Sequence, residues 1–139
     1  MASKKVRNEA ELIALGQSFG EKCQGGEVFE LVGDLGTGKT TFTKGLALGL
    51  GVKRTINSPS FTIMKDYAAR DGLTLKHYDF YRLDDAGLMK NEIAESLGDP
   101  KTIVVVEWAK EVSGILPKER KVIEIKYTPT DGRVVEWTK

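Results

Sequence analysis

Lysine and threonine stand directly behind a glycine-rich run in Gly33-Asp34-Leu35-Gly36-Thr37-Gly38-Lys39-Thr40-Thr41, which satisfies G-x-x-x-x-G-K-[ST] at every fixed position. The residue types suit a nucleoside triphosphate. Gly33, Gly36 and Gly38 let the backbone turn several N–H groups inward around phosphate oxygens, Lys39 adds a cation, and Thr40 adds a hydroxyl for magnesium. A plain turn between a strand and a helix would not need both Lys39 and Thr40 behind its last glycine. Hydrolysis asks for more, because triphosphate charge must be neutralised by a metal and an attacking water must be aligned. Ile103-Val104-Val105-Val106-Glu107 supplies a carboxylate at the end of an apolar strand, where open α/β sheets place such groups beside the phosphate loop. The alternative for Glu107 is a charge emerging from the core into solvent.

Asp79, in His77-Tyr78-Asp79-Phe80-Tyr81-Arg82, is a second acid near a strand end. It could orient water or help hold the metal, or it could be a turn or cap carboxylate. His77 shares its face by period-two alternation, and a lone histidine is more often a hydrogen-bonded structural residue. Arg82 could stabilise transferred charge as an internal arginine finger, with a surface salt bridge as the commoner role. Trp108 reads as packing rather than base stacking.

These residues need elements to carry them. Glu27 to Val32 reads as a strand leading into the phosphate loop, and Thr41 to Leu50 as the helix leaving it. Upstream, Leu12, Ile13, Leu15, Phe19 and Cys23 recur at near-helical spacing from Asn8, a candidate N-cap, to the stop at Gly25-Gly26. Downstream, Phe61 to Ala68 and Leu73 to Tyr81 read as a hairpin turning at Arg70-Asp71-Gly72. Asp84 to Leu97 reads as a helix broken by Gly98-Asp99-Pro100, and Thr102 to Val106 as a buried strand. Lys121 to Tyr127 and Arg133 to Thr138 are two more strands joined by a Pro-Thr-Asp-Gly turn.

The 139 residues are 40% hydrophobic and 29% charged, which predicts one folded domain spanning residues 1–139. The longest apolar run, Ile103 to Val106, is far too short to cross a bilayer. Met-Ala-Ser-Lys-Lys-Val-Arg has basic residues with no apolar stretch behind them, so a cytoplasmic protein is expected. The single cysteine, Cys23, reads as a buried structural thiol. A net charge of +1 gives no strong field for grasping nucleic acid unaided, so any RNA contact must be local or shared with a partner.

Taken in order, Gly33 to Phe42, Ser58-Pro59-Ser60-Phe61, His77 to Leu83 and Glu107-Trp108 closely resemble the bacterial TsaE (YjeE) family over nearly the whole chain. The G-D-L-G-x-G-K-T-T, H-x-D-x-Y-R and E-W runs are jointly specific, whereas the phosphate loop alone places the chain only among P-loop NTPases. The resemblance implies a magnesium-dependent ATPase that works with TsaB and TsaD in making threonylcarbamoyladenosine beside the tRNA anticodon. The tRNA is then met indirectly, through the complex. It also implies that Leu35, Gly36, Thr37, Gly38, Lys39, Thr40 and Thr41 hold ATP, and that Thr40 and Glu107 hold Mg2+. Asp79 then contacts nucleotide or its water, and Lys39, Glu107 and Asp79 carry catalysis. Ser58 to Phe61 form a switch-like loop, and Glu9 and Arg133 align with further nucleotide contacts. Ser60 stands where the commoner family pattern has threonine, which keeps the hydroxyl and loses the stiffening methyl.

The expected architecture is α/β, a P-loop NTPase-like three-layer αβα sandwich. Its central sheet is mostly parallel, with the Leu31 and Val105 strands near each other and an antiparallel extension from the hairpin and the tail. Two other activities share the loop. A small P-loop kinase would usually need an arginine-bearing lid, and no arginine-rich insertion is present. A GTPase would need a guanine reader, yet Asp84-Asp85-Ala86-Gly87 follows no buried strand and no N-K-x-D occurs. An ATP-gated regulatory adaptor, in which binding orders the switch loop and hydrolysis resets it, is the alternative from another class.

Overall fold

The computed structural model describes residues 2–34, 36–56, 64–81, 87–129 and 132–138. In chain order the elements are β1 (Ala2–Val6), α1 (Glu9–Lys22), β2 (Val28–Val32), α2 (Lys39–Gly49), β3 (Met64–Ala68), β4 (Thr74–Asp79), α3 (Gly87–Leu97), β5 (Thr102–Glu107), β6 (Lys121–Tyr127) and β7 (Arg133–Trp137). Short 3-10 turns cover Arg70–Gly72 and Ala109–Ile115. The strands form one sheet in the order β1-β7-β6-β2-β5-β4-β3.

The four central strands, β6, β2, β5 and β4, run parallel. The outer pairs, β1 with β7, β7 with β6, and β3 with β4, are antiparallel. The expected mostly parallel sheet with antiparallel extensions is therefore present, and the Leu31 and Val105 strands are direct neighbours. β5 sits between β2 and β4 and is buried along its whole length, which accounts for its unbroken apolar run.

Alternation along β5 sends Ile103 and Val105 to one face and Val104 and Val106 to the other. Ile103 and Val105 pack with Leu12 and Leu15 of α1, Phe42 and Leu46 of α2, and Leu31, Leu75, Ile123 and Ile125 of the sheet. Val104 and Val106 pack with Ile93 of α3, Tyr78, Phe80, Val112 in the second 3-10 turn and Leu116 at its end. Each such aliphatic side chain, fully buried, contributes about 1.5–3 kcal/mol, so these two layers hold helices on both sides of the sheet.

The local signals work as read at several points. Asn8 caps α1 by accepting a hydrogen bond from the Glu11 N–H, and Cys23 closes the helix, its buried thiol donating to the Phe19 carbonyl at 3.4 Å. The β3–β4 hairpin turns at Arg70–Gly72, with Asp71 in the left-handed region at φ 58°.

Other expectations are corrected. α2 runs from Lys39 to Gly49 rather than from Thr41 to Leu50, because the phosphate loop itself supplies the first helical turn. β4 ends at Asp79, so Tyr81 lies beyond the strand and is exposed instead of continuing its inner face. The described part of the third helix begins at Gly87. Phe61 and the expected helix start at Asp84 lie outside the described residues. β1 was not signalled at all, since of Ala2–Val6 only Val6 is buried and the strand pairs with β7 through backbone bonds.

Candidate functional site at the ends of parallel strands

α1 and α2 meet through glycines. A Cβ on Gly16 or Gly20 of α1 would run into the backbone of Phe42, Leu46 or Gly49, and one on Gly45 or Gly49 of α2 into the backbone of Ile13 or Gln17. The two axes can approach this closely only because side chains are missing from the seam. That contact fixes the start of α2, and so the phosphate loop, against α1.

Within the loop, Gly36 at φ 80° and Gly38 at φ 117° adopt left-handed conformations that favour glycine. Gly38 caps α2 without a side-chain hydrogen bond, and no acidic residue occupies the first turn. The first-turn N–H groups and the positive end of the helix dipole are thus available to an anion. Thr37 is buried, and its N–H and hydroxyl both bond to the Asp34 carbonyl, which fixes the loop's curvature. Thr40 and Thr41 are half-buried on the first turn of α2.

Lys39 is only 6% exposed. Its ammonium donates to the Gly33 carbonyl and, at 3.5 Å, to that of Asp34, and it lies 3.9 Å from the centroid of the Trp108 ring. Burial lowers its pKa, while the negative charges of Glu107, Asp79 and Asp34 act in the opposite direction. Three acids therefore converge on one partly desolvated cation.

The register explains two of those acids. Asp79 pairs with Glu107 across the parallel β4–β5 ladder, and Leu31 of β2 pairs with Glu107 on the other side. Glu107 shares the Val105 face of β5, and Asp79 the Leu75 face of β4, so both carboxylates sit on the α2 side at the C-terminal strand ends. Glu107 does not emerge into solvent: it is 3% exposed, and its Oε2 lies 2.5 Å from Nε2 of His77, which is fully buried. Asp79 is half-buried and accepts from the Tyr81 N–H at 2.9 Å, so it also has the turn role open to it from sequence.

Trp108 does more than pack. It follows Glu107 with φ 56° and ψ 52°, a left-handed conformation that is uncommon and costly for a bulky residue. This turn puts its ring under the Lys39 ammonium and 4.9 Å from that of Tyr81, while its rim still packs against the Val104 layer.

Glu9 and Arg133, far apart in sequence, line a single cleft of about 410 Å³ with Asn8, Tyr127 and Gly132. Arg133 also approaches the loop, since a Cβ on Gly38 would come within 3.5 Å of its Nη1. A second cleft of about 520 Å³ is lined by Gly33, Asp34, Thr37 and Trp108, and Tyr127 lines both. Tyr127 is 58% exposed, its hydroxyl donates to the Gly36 carbonyl, and Arg133 lies over its ring at 5.5 Å. Sequence reasoning did not single out Tyr127, whose only signal is a large aromatic at the end of the tail strand. Leu35, Ser58 to Phe61, Arg82 and Asp84 to Ala86 lie outside the described residues.

A family model described as threonylcarbamoyl adenosine biosynthesis protein TsaE matches residues 6–135. The chain belongs to the TsaE family. It is 42% identical to the tRNA threonylcarbamoyladenosine biosynthesis protein TsaE of Bacillus subtilis, over 94% of this chain and 81% of the relative. It is 36% identical to that of Borreliella burgdorferi over 95% of this chain and 96% of the relative. The crystal structure of YdiB from Bacillus subtilis superposes with a TM-score of 0.78 at 36% identity, covering 98% of this chain and 83% of that one. The P-loop type of fold is thus matched by a solved relative as well as by strand order. No helix among the described residues is long and apolar enough to cross a membrane.

Proposed function

We propose that this chain binds and hydrolyses ATP with Mg2+, as the ATPase subunit that serves TsaB and TsaD in making tRNA threonylcarbamoyladenosine in the cytoplasm. The observation that carries the reading is the convergence of Lys39, Glu107 and Asp79 at one end of a parallel sheet, beside an uncapped helix start. The names of the relatives support the pathway.

The residues present suit both groups. Gly36 and Gly38 shape the loop, and the first-turn N–H groups of α2 meet phosphate oxygens. Thr40 and Glu107 offer hard oxygen donors, and Mg2+ characteristically takes one or two protein ligands with phosphate oxygens completing its shell. When bound, the ion neutralises charge on the phosphates and polarises them. Lys39 exchanges its loop carbonyls for phosphate oxygens, a charge-assisted contact stronger than the neutral ones it leaves. Trp108 covers that ammonium on one side, which lowers the local dielectric and strengthens the contact. Asp79 orients nucleotide or water from the neighbouring strand. The cleft of Glu9, Tyr127 and Arg133 receives the remainder of the nucleotide beside the loop.

The test is ATP turnover by the purified chain, alone and mixed with TsaB and TsaD, alongside tRNA modification. Slow turnover alone and faster turnover in the assembly is the expected result. A non-hydrolysable ATP analogue that sustained many rounds of modification would favour the ATP-gated adaptor instead.

A further inference from the structure

His77 lies at the centre of the fold rather than at its surface. It is fully buried on β4, one rung behind the Asp79–Glu107 pair and on the same face of the sheet as Leu75 and Asp79. Its Nε2 meets Glu107 Oε2 at 2.5 Å, and its Nδ1 has no hydrogen-bond partner among the described residues. Neighbours in the layer on this face of the sheet include Leu31, Leu75, Ile103 and Val105, all apolar.

That arrangement is a poor choice for packing alone. A buried polar atom left unpaired carries a desolvation penalty, and a leucine or methionine would fill similar space without it. The imidazole therefore needs a compensating role, and the geometry supplies one. A carboxylate only 3% exposed needs donors to remain charged, and Nε2–H is the donor that faces it. Carboxylates that ligate metals are commonly held by such outer partners, which fix the orientation of the ligating oxygen.

We infer that His77 is a positioning residue for Glu107, its Nε2–H holding the carboxylate at the phosphate loop in the orientation that Mg2+ with ATP requires. This rests on the nucleotide reading above. His77 itself touches neither nucleotide nor metal.

Two substitutions separate the N–H from the ring. His77→Gln can place an amide N–H near the position of Nε2, whereas His77→Asn is too short and mimics Nδ1 instead. The purified chain, with ATP fixed and Mg2+ varied, is followed by thermal unfolding, and ATP binding in EDTA is measured by calorimetric titration. His77→Asn should raise the Mg2+ concentration for half-maximal stabilisation by about 10- to 100-fold, with ATP affinity in EDTA unchanged. His77→Gln should stay close to wild type. If His77→Asn does not fold, a wild-type midpoint in His77→Gln upholds the inference and a shift of about tenfold or more overturns it. Equal impairment of both variants also overturns it, since the ring would then matter and not its N–H. A wild type that ignores Mg2+ and ATP overturns the nucleotide reading itself. A responding wild type matched by His77→Asn overturns only the role of His77.

Discussion

On the face of the sheet that carries α1 and α2, backbone meets backbone: Gly16, Gly20, Gly45 and Gly49 leave no room for a single added carbon. On the opposite face α3 packs through Ile93 and is also tied down by polar side chains. The Tyr78 hydroxyl bonds to Glu92, and lies 2.8 Å from the hydroxyl of Ser96, while Lys76 pairs with Glu92 at 3.2 Å. Gly114, in the 3-10 turn on that side, has open space around it. The phosphate loop grows out of the first face. A seam without adjustable side chains has one docking geometry, so it fixes the start of α2 more tightly than long side chains could. A hydrogen-bonded attachment can exchange partners with water, which suits the face that does not hold the loop.

The largest effect should come from breaking the glycine seam. Gly45→Ala should cost about 3 kcal/mol or more, because its Cβ meets backbone that cannot turn aside. Gly114→Ala should stay within about 0.5 kcal/mol. Urea unfolding measures both, and equal costs would end the contrast between the faces.

Lys39→Ala is next. Removing its ammonium should weaken ATP binding by about 1.5–3 kcal/mol and slow turnover more than binding, because charge shifts most in the transition state. Titration calorimetry and a phosphate-release assay read the two separately. Unchanged turnover would remove any hydrolytic role from the rigid face.

Tyr78→Phe should cost about 1 kcal/mol or somewhat more, since it leaves Glu92 short of a donor and takes the phenolic oxygen away from the Ser96 hydroxyl. Its effect on ATP affinity should be negligible. A Tyr78→Phe variant that lost nucleotide binding would show the α3 face to be coupled to the loop after all.

A separate effect, confined to alkaline pH, is a pH dependence at the far end of the seam. Burial, with Glu27 adding, pushes the Cys23 thiol from 9.0 up to about 12. The unfolded chain then releases this proton first, so its contribution to stability is complete below pH 9 and is lost as pH rises towards 12. Cys23→Ala should flatten the stability profile in that window, as measured by unfolding at a series of pH values.

Some of this was legible in the chain. Gly33 to Thr41 specifies both its chemistry and the strand and helix flanking it, and the apolar run into Glu107 names the central strand. Local signals reach that far. β1 escaped because an edge strand held by backbone pairing needs little apolar sequence. The glycine seam escaped because Gly16, Gly20, Gly45 and Gly49 read singly as weak helix residues, and only the pairing of two helices gives their spacing meaning. His77 and Glu107 lie 30 residues apart, so their bond exists only once β4 and β5 are side by side. Trp108 reads from sequence as a packing residue and packs against the Val104 layer, but its place under Lys39 depends on a left-handed backbone turn that no residue type announces.

The account stands on Glu107 as the acid that completes the phosphate loop. The direct test is steady-state ATP turnover by the chain assembled with TsaB and TsaD, comparing wild type with Glu107→Ala at matched ATP occupancy. The account predicts that turnover falls by about a hundredfold or more, reflecting several kcal/mol of lost charge stabilisation through the metal, while ATP still binds. A Glu107→Ala assembly that hydrolyses ATP at the wild-type rate would contradict it.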